Sequence, residues 1–489
     1  MIKHKYLGII VGFIALTVMD SCKKLVEVDP PITKLVTSEV FNNAATANAA
    51  ITNIYQQIMA SDHQTYFMSL NGGLLSDELK NYSTSTVSSL YYNNSLNPTT
   101  AMFGPWLYAY NYIYQANAVI EGLSGNTTIA TTVVNQLTGE AKFVRAFWNF
   151  YLAGCYGDVP LVLSTAYADN EHLPRTQVAQ VYEQVIADLL EAQALLSDQF
   201  VDADGVTVTA ERVRPTKWAA TALLARAYLY TKEYDKAEAA ATAVINNTAL
   251  FNLEADLNNV FLKNSNEAIW QLPMPLTGGS NGTVNTDEGN SFILHGQPDN
   301  VTLSPQLLAA FEPGDKRRES SWVDSLTTTD PTATYYYAYK YKVWVDDDPS
   351  TTEEYAMVLR LAEQYLIRAE ARIEQGHIAD GVADLNVIRS RARNEATIDI
   401  PNPLPDLSAG LSEQDAYAAV LHERQTELFT EWGHRWFDMI RMGYANAIMG
   451  APGNVCESKG GTWSENLQLL PIAQAEINKD NNLTQNPGY

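Results

Sequence analysis

Between residues 215 and 245, apolar and small residues recur at the three-and-four spacing of a single helix face, pause, and then resume. Pro215 stands at a helix start, and Trp218, Ala222, Ala225 and Leu229 mark the first stripe. After a break at Lys232-Glu233, the residues Tyr234, Ala237, Ala241 and Val244 mark the second. Residues 355–393 repeat the arrangement, with Leu359, Ala362, Leu366, Ala369 and Ala371 before Gly376, and Ala383, Leu385 and Ile388 after it. Small residues such as Ala225 and Ala237 let two helices approach closely, so each segment reads as a tetratricopeptide-type helix pair. A helix over 178–196, striped by Val181, Val185, Leu189 and Ala192, leads the first group. This pattern predicts a mainly α chain with paired helices as its scaffold.

Around that scaffold the rhythm is less even. Residues 41–59 carry Ala50, Ile51, Ile54 and Ile58 on one helical stripe, whereas 61–105 is rich in Ser, Asn, Thr and Tyr without a sustained period and reads as a long loop. Helical patterns return at 106–120 and 139–152, and Gly157-Asp158-Val159-Pro160 is a turn, because proline lacks the amide donor a helix needs. Residues 250–350 form an insert with Gly278-Gly279, Asn281-Gly282 and a run of tyrosines at 335, 336, 337, 339 and 341, fitting one or two short strands among loops. An amphipathic helix is expected at 413–431, another at 433–441, then a polar loop over 443–466.

The first residues read as an export segment: Lys3 and Lys5 precede an apolar run over 6–19, shorter than a membrane span requires. The run stops at Asp20-Ser21-Cys22, so residues 1–21 are expected to be a lipoprotein signal peptide, with Cys22 acylated and 22–34 serving as a tether. Cys155 and Cys456 either pair with each other or stay reduced, and neither has a local partner at metal-ligand spacing. With 56 acidic against 32 basic residues, the formal charge of −24 argues against nucleic acid as a partner.

Several separated motifs then carry a resemblance. They begin with Arg145-Ala-Phe-Trp-Asn-Phe-Tyr-Leu followed by Tyr156-Gly-Asp-Val-Pro-Leu161, and continue with Val358-Leu-Arg-Leu-Ala-Glu-Gln-Tyr-Leu-Ile-Arg-Ala-Glu-Ala371 and Leu385-Asn-Val-Ile-Arg-Ser-Arg-Ala392. Glu423-Arg424, Glu427-Leu428 and Glu431-Trp-Gly-His-Arg-Trp-Phe-Asp-Met-Ile-Arg441 follow, and the chain closes on Leu469-Leu-Pro-Ile472 and Asn482-Leu-Thr-Gln-Asn-Pro-Gly-Tyr489. In this order they resemble the SusD/RagB family of Bacteroidetes outer-membrane lipoproteins. The resemblance implies a single SusD-like domain over 35–489, with tetratricopeptide-type helices at about 175–247 and 355–394, a loop-rich ligand side, and a C-terminal region at about 410–489. It implies a lipid-anchored, non-catalytic protein on the cell surface. Such a protein captures oligosaccharides or polysaccharides and passes them to a SusC-like TonB-dependent transporter. Peptide or other nutrient cargo, or a purely protein-binding scaffold, are the alternatives.

Sugar binding needs flat aromatic faces against the C–H side of a pyranose and polar side chains for its hydroxyls. The early tract offers Tyr66, Asn71, Asp77, Tyr82, Tyr91 and Tyr92, and the insert offers Trp322, Tyr335, Tyr337 and Trp344. Trp106 is assigned to helix packing instead. Arg145 sits among Phe143, Phe147, Trp148 and Tyr151 and needs a carboxylate, for which Asp158 is the candidate. Glu431, Arg435, Asp438 and Arg441 recur at helical spacing and are expected to form a structural network. No His-Glu-x-x-His, phosphate loop or dinucleotide fingerprint occurs, so no catalytic residue, cofactor or metal is expected. Asp202-Ala-Asp204-Gly205 and Asp346-Asp347-Asp348 do not fit a calcium loop and read as solvated turns.

Overall fold

The computed structural model describes residues 37–61, 63–100, 104–275, 284–345, 351–450 and 453–489. The N-terminal expectations, Cys22 included, therefore lie outside the described residues, as do Gly278-Gly279, Asn281-Gly282 and Asp346-Asp347-Asp348. The main helices are α1 (Ala44–Gln56), α2 (Gln64–Leu75), α3 (Thr86–Tyr92), α4 (Trp106–Leu123), α5 (Thr131–Tyr156) and α6 (Val178–Leu195). They continue with α7 (Lys217–Tyr230), α8 (Tyr234–Ile245), α9 (Leu361–Glu374), α10 (Ile378–Ala392), α11 (Glu413–Leu428) and α12 (His434–Arg441). Strands are short: β1 (Leu79–Asn81), β2 (Ala268–Leu272), β3 (Val301–Leu303), β4 (Val323–Thr329), β5 (Thr332–Ala338) and β6 (Ala356–Arg360). They form three antiparallel two-stranded sheets, β1-β3, β2-β6 and β4-β5.

The alanine stripes do what their spacing implies. The Thr216 hydroxyl caps α7 by accepting the Trp218 amide at 3.2 Å, and Ala219, Ala222, Ala225 and Ala227 are fully buried. Successive helices stack from α4 through α5, α6, α7, α8 and α9 to α10, so the second predicted hairpin packs on the first despite the long insert between them. In α9 and α10 the backbones meet at Gly381, where a Cβ would lie 2.6 Å from the Ala369 carbonyl oxygen. Segment 356–360 is strand β6 and not the start of a helix: it pairs with β2, and both strands are buried along their whole length. Buried on every side, such a strand shows no alternation by which it could be told from a buried helix.

Residues 61–105 depart furthest from expectation. They hold α2, β1 and α3. The helical period of α2 is masked because its buried face mixes Gln64, Thr65, Ser69 and Asn71 with Gly72 and Gly73. Gly72 touches Gly433 so closely that a Cβ would fall 2.3 Å from the Gly433 Cα.

The charged motifs are inside. Arg145 makes a bidentate pair with Asp188, at 2.8 and 2.6 Å, and donates to Asn117 at 2.8 Å. Asp158 is therefore not its partner. Asp158 lies past the end of α5 and accepts the Val178 amide at 2.8 Å at the start of α6, whereas Asp188 faces Arg145 across the α5–α6 contact. Of the four residues expected to pair along α12, only Asp438 and Arg441 meet directly, at 2.9 Å. Arg435 reaches Asp77 bidentately at 2.7 and 2.7 Å, and Arg441 reaches Glu370. Glu431 accepts from Lys340 at 2.5 Å and Arg360 at 2.8 Å. These pairs tie the C-terminal helices to the turn between α2 and β1, to β6, to α9 and to the insert.

An aromatic face as the candidate ligand site

The β1-β3 ladder brings the early tract onto the insert. Leu79 pairs with Leu303 and Asn81 with Val301, and the Tyr82 amide extends the ladder by donating to the Asn300 carbonyl at 2.8 Å. Beside β3 runs β5, and Tyr335 on β5 meets Tyr82 edge to face with ring centres 5.7 Å apart. Lys80 is two residues before Tyr82 in an extended segment, so both side chains leave on the same side. The Lys80 ammonium lies 5.0 Å from the Tyr82 ring centre. A hydrogen bond with the Tyr82 hydroxyl holds Lys80 above the usual lysine pKa, outweighing its partial desolvation, and Tyr92 and Tyr335 are close enough to contribute. Burial raises the Tyr92 phenol, and the Lys80 charge opposes that rise.

Next to Lys80 opens a cleft of about 190 Å³ lined by Asp77, Tyr92, Gln306, Ser458 and Lys459. The two other charges on its wall are already committed. Asp77 is held by Arg435, and Lys459 donates to the Leu74, Leu75 and Ser76 carbonyls at 2.7, 3.0 and 2.9 Å. Burial lowers Lys459 to about 7.

A second group of rings lies around the short helix Asp287–Phe292. Tyr66, at the start of α2, packs against Phe292 with centres 5.6 Å apart, and its hydroxyl accepts from the Asn300 side chain at 2.9 Å. Asn300 thus joins Tyr66 to the Tyr82 strand. His295 is exposed and stacks on Trp344 at 3.7 Å with planes 26° apart. Below them, His63 meets Asp287 at 2.5 Å, and burial, with the neighbouring Asp287 charge, raises Glu288 to about 8.

Of the ten residues expected at the ligand, Tyr66, Tyr82, Tyr92, Tyr335 and Trp344 are half-buried and keep part of a ring accessible. The other five point inward. Trp322 is 0% exposed, donates its indole N–H to the Leu257 carbonyl at 2.9 Å, and packs against Phe261 and Phe429, so it offers no face to a ligand. Asn71 bonds back to the Phe67 carbonyl of its own helix at 3.0 Å, and Asp77 is consumed by Arg435. Tyr91 packs edge-on to Phe67, and Tyr337 is buried with its hydroxyl donating to Asp324 at 3.1 Å. Sequence reasoning missed Lys80, His295 and Asn300. The alternation Lys80-Asn81-Tyr82 signalled the first; the other two lie in irregular backbone that gives no periodic cue. Cys155 and Cys456 are free and buried, and among the described residues no cluster of three or more His, Cys, Asp or Glu is placed to hold a metal. Asp204 accepts the Val206 and Thr207 amides in a local turn.

Residues 313–489 match the family model described as SusD family, and residues 25–229 match one described as starch-binding associating with outer membrane. SusD-like protein P2 of Formosa agariphila is 28% identical over 422 residues, spanning 78% of this chain and 80% of that protein. A SusD superfamily protein of Bacteroides thetaiotaomicron superposes with a TM-score of 0.73 at 24% identity, over 91% of this chain and 100% of that one. A laminarin-binding SusD-like protein does so with a TM-score of 0.73 at 23% identity, over 91% and 99%. Family models at both ends, a relative matched over most of its length and the shared helical architecture lead to one conclusion: the chain belongs to the SusD/RagB family.

Proposed function

We propose that this protein captures an oligosaccharide by laying sugar rings across Tyr66, Tyr82, Tyr335 and Trp344, with Lys80, Asn300 and His295 bonding the hydroxyls. It is a non-catalytic, surface-exposed glycan-binding component of the outer membrane that works with a SusC-like TonB-dependent transporter. In this reading residues 1–21 are removed on export, acylated Cys22 and the tether hold the protein to the membrane, and 35–489 act as one ligand-presenting body.

The observation that supports the site most is the meeting of Tyr82 and Tyr335, some 250 residues apart in sequence, at 5.7 Å on one side of the helical stack. Aromatic rings with polar neighbours suit a ligand that is apolar on its C–H face and polar at its rim. The strongly patterned carboxylates, by contrast, are held in ion pairs with arginines inside the scaffold, which suits a binding role and not general acid–base work.

The test is to titrate glycans released from a range of polysaccharides into the acyl-free protein while following tryptophan fluorescence and heat. Tyr335→Ala and Trp344→Ala should each weaken binding about tenfold, the cost of losing a central aromatic contact. A response to peptides but to no glycan, or unchanged glycan affinity in both variants, would overturn the reading.

A further inference from the structure

Among the described residues, many cations are held in ion pairs. Arg145, Arg226, Arg317, Arg360, Arg389 and Arg441 each bind carboxylates in the interior. Lys80 is different: among the described residues no carboxylate pairs with it, in a protein whose formal charge is −24. It is exposed, it stands among Tyr82, Tyr92 and Tyr335, and it opens onto the cleft that Ser458 and Gln306 also line. Asp77, the acid on the cleft wall, is neutralised by its bidentate pair with Arg435. The three N–H groups of Lys459 are taken up by three carbonyls, so Lys459 has no donor to offer a ligand. On the cleft wall, Lys80 is left as the cation with donors to offer a ligand beyond its hydrogen bond to the Tyr82 hydroxyl, and it stands among three phenol rings.

We propose that the glycan captured here carries an anionic substituent, a uronate carboxylate or a sulfate ester, which seats on Lys80 at the mouth of this cleft while an adjoining ring lies against Tyr82 and Tyr335. The inference rests on the binding face proposed above and narrows it to a substrate class. The recognition chemistry is a charge-assisted hydrogen bond from the ammonium to an anionic oxygen, the strong kind of polar contact. The long-range field of an acidic protein opposes polyanions in general. A local cation framed by rings therefore selects an anion at one position of a sugar chain and not an anionic surface at large.

The acyl-free full-length protein is screened on an array holding neutral, uronate-containing and sulfated oligosaccharides. The tightest binder is then titrated calorimetrically into the wild type, Lys80→Gln, Lys80→Arg and Tyr335→Ala, with circular dichroism confirming the fold of each. The expected result is binding confined to anionic chains and weakened about tenfold or more by Lys80→Gln. Lys80→Arg should restore most of it. The desulfated and the carboxyl-reduced forms of the same oligosaccharide separate the two sources: the form that loses affinity for the wild type, and is then indifferent to Lys80→Gln, identifies the anion. Neutral chains that bind as well as anionic ones, with Lys80→Gln without effect and Tyr335→Ala damaging, overturn this inference and leave the binding face standing. No binding to any chain, or indifference to both Lys80→Gln and Tyr335→Ala, overturns both.

Discussion

Replacing Glu427 by glutamine should destabilise the protein by about 3–4 kcal/mol at neutral pH, although no ligand group is touched. Both carboxylate oxygens of Glu427 are acceptors from arginines: Oε1 from Arg360 at 2.7 Å and from Arg391, Oε2 from Arg317 at 3.0 Å. A glutamine fills the same space, but whichever way its amide turns, an NH₂ faces a guanidinium donor. Breaking a buried ion pair costs about 3–5 kcal/mol because the surviving charge stays desolvated. The lower part of that range applies here. Arg360 keeps Glu431, Arg317 keeps Asp315 and Glu423, and Arg391 keeps Glu267. Burial alone would raise the Glu427 carboxyl, yet Arg391, Arg360 and Arg317 together hold it well below the usual carboxylate range. A depressed folded pKa contributes stability that is present above the unfolded value near 4.5 and lost as pH falls toward the folded one. Wild-type stability should therefore drop more steeply than that of the variant on acidification below pH 4.5. Urea unfolding is followed at several pH values by far-ultraviolet dichroism and tryptophan fluorescence together, since coincident transitions license a single free energy. A loss below about 1 kcal/mol at pH 7, or parallel acid profiles, would refute the claim that this network is a structural element.

Two further outcomes follow from packing and burial. Gly72→Ala places a methyl against the Gly433 backbone, where φ is +71° and the chain has no flexible side chain to yield; overpacking of this kind costs about 1–3 kcal/mol, against a helix-propensity gain of under about 1, so denaturation should show net destabilisation. Glu288, raised by burial to about 8, is neutral in the folded protein at pH 6 and ionised when unfolded. Its contribution is full below pH 4.5 and lost as pH rises through 8, so Glu288→Gln should flatten part of the wild-type stability decline over that window, by on the order of a few kcal/mol. Identical slopes in urea titrations of the two proteins would contradict the assignment.

The scaffold was legible because its residues obey a period. Alanine stripes over 217–245 and the turn at Gly376 reveal a helix pair without any tertiary information. Spacing also marks Arg145 and Arg435 as structural, but it cannot name Asp188 or Asp77, because a guanidinium reaches across helices to acceptors that lie far away in sequence. The candidate site was half legible. Composition singled out two tracts that the fold brings together, yet the same aromatic residue types serve the core and the surface there, and burial separated Trp322 from Trp344 where sequence could not. α2 was hidden because polar residues on its inner face erased the hydrophobic period.

These two kinds of legibility have a common cause. The motifs that identify the family spend their charges on one another: Arg360, Glu423, Glu427, Glu431, Asp438 and Arg441 are all held in buried pairs. Each such pair is costly to break, because the surviving charge would stay buried. Lys80, Tyr82, His295, Asn300, Tyr335 and Trp344 stand outside those motifs, on short strands and irregular backbone braced by the same network through Asp77 and Arg435. Side chains there can change without disturbing a buried charge. A rigid ionic base carries an aromatic face that is joined to it by strand ladders and ring contacts, and the binding reading proposed above rests on Lys80 and its surrounding rings and not on the ion-paired motifs.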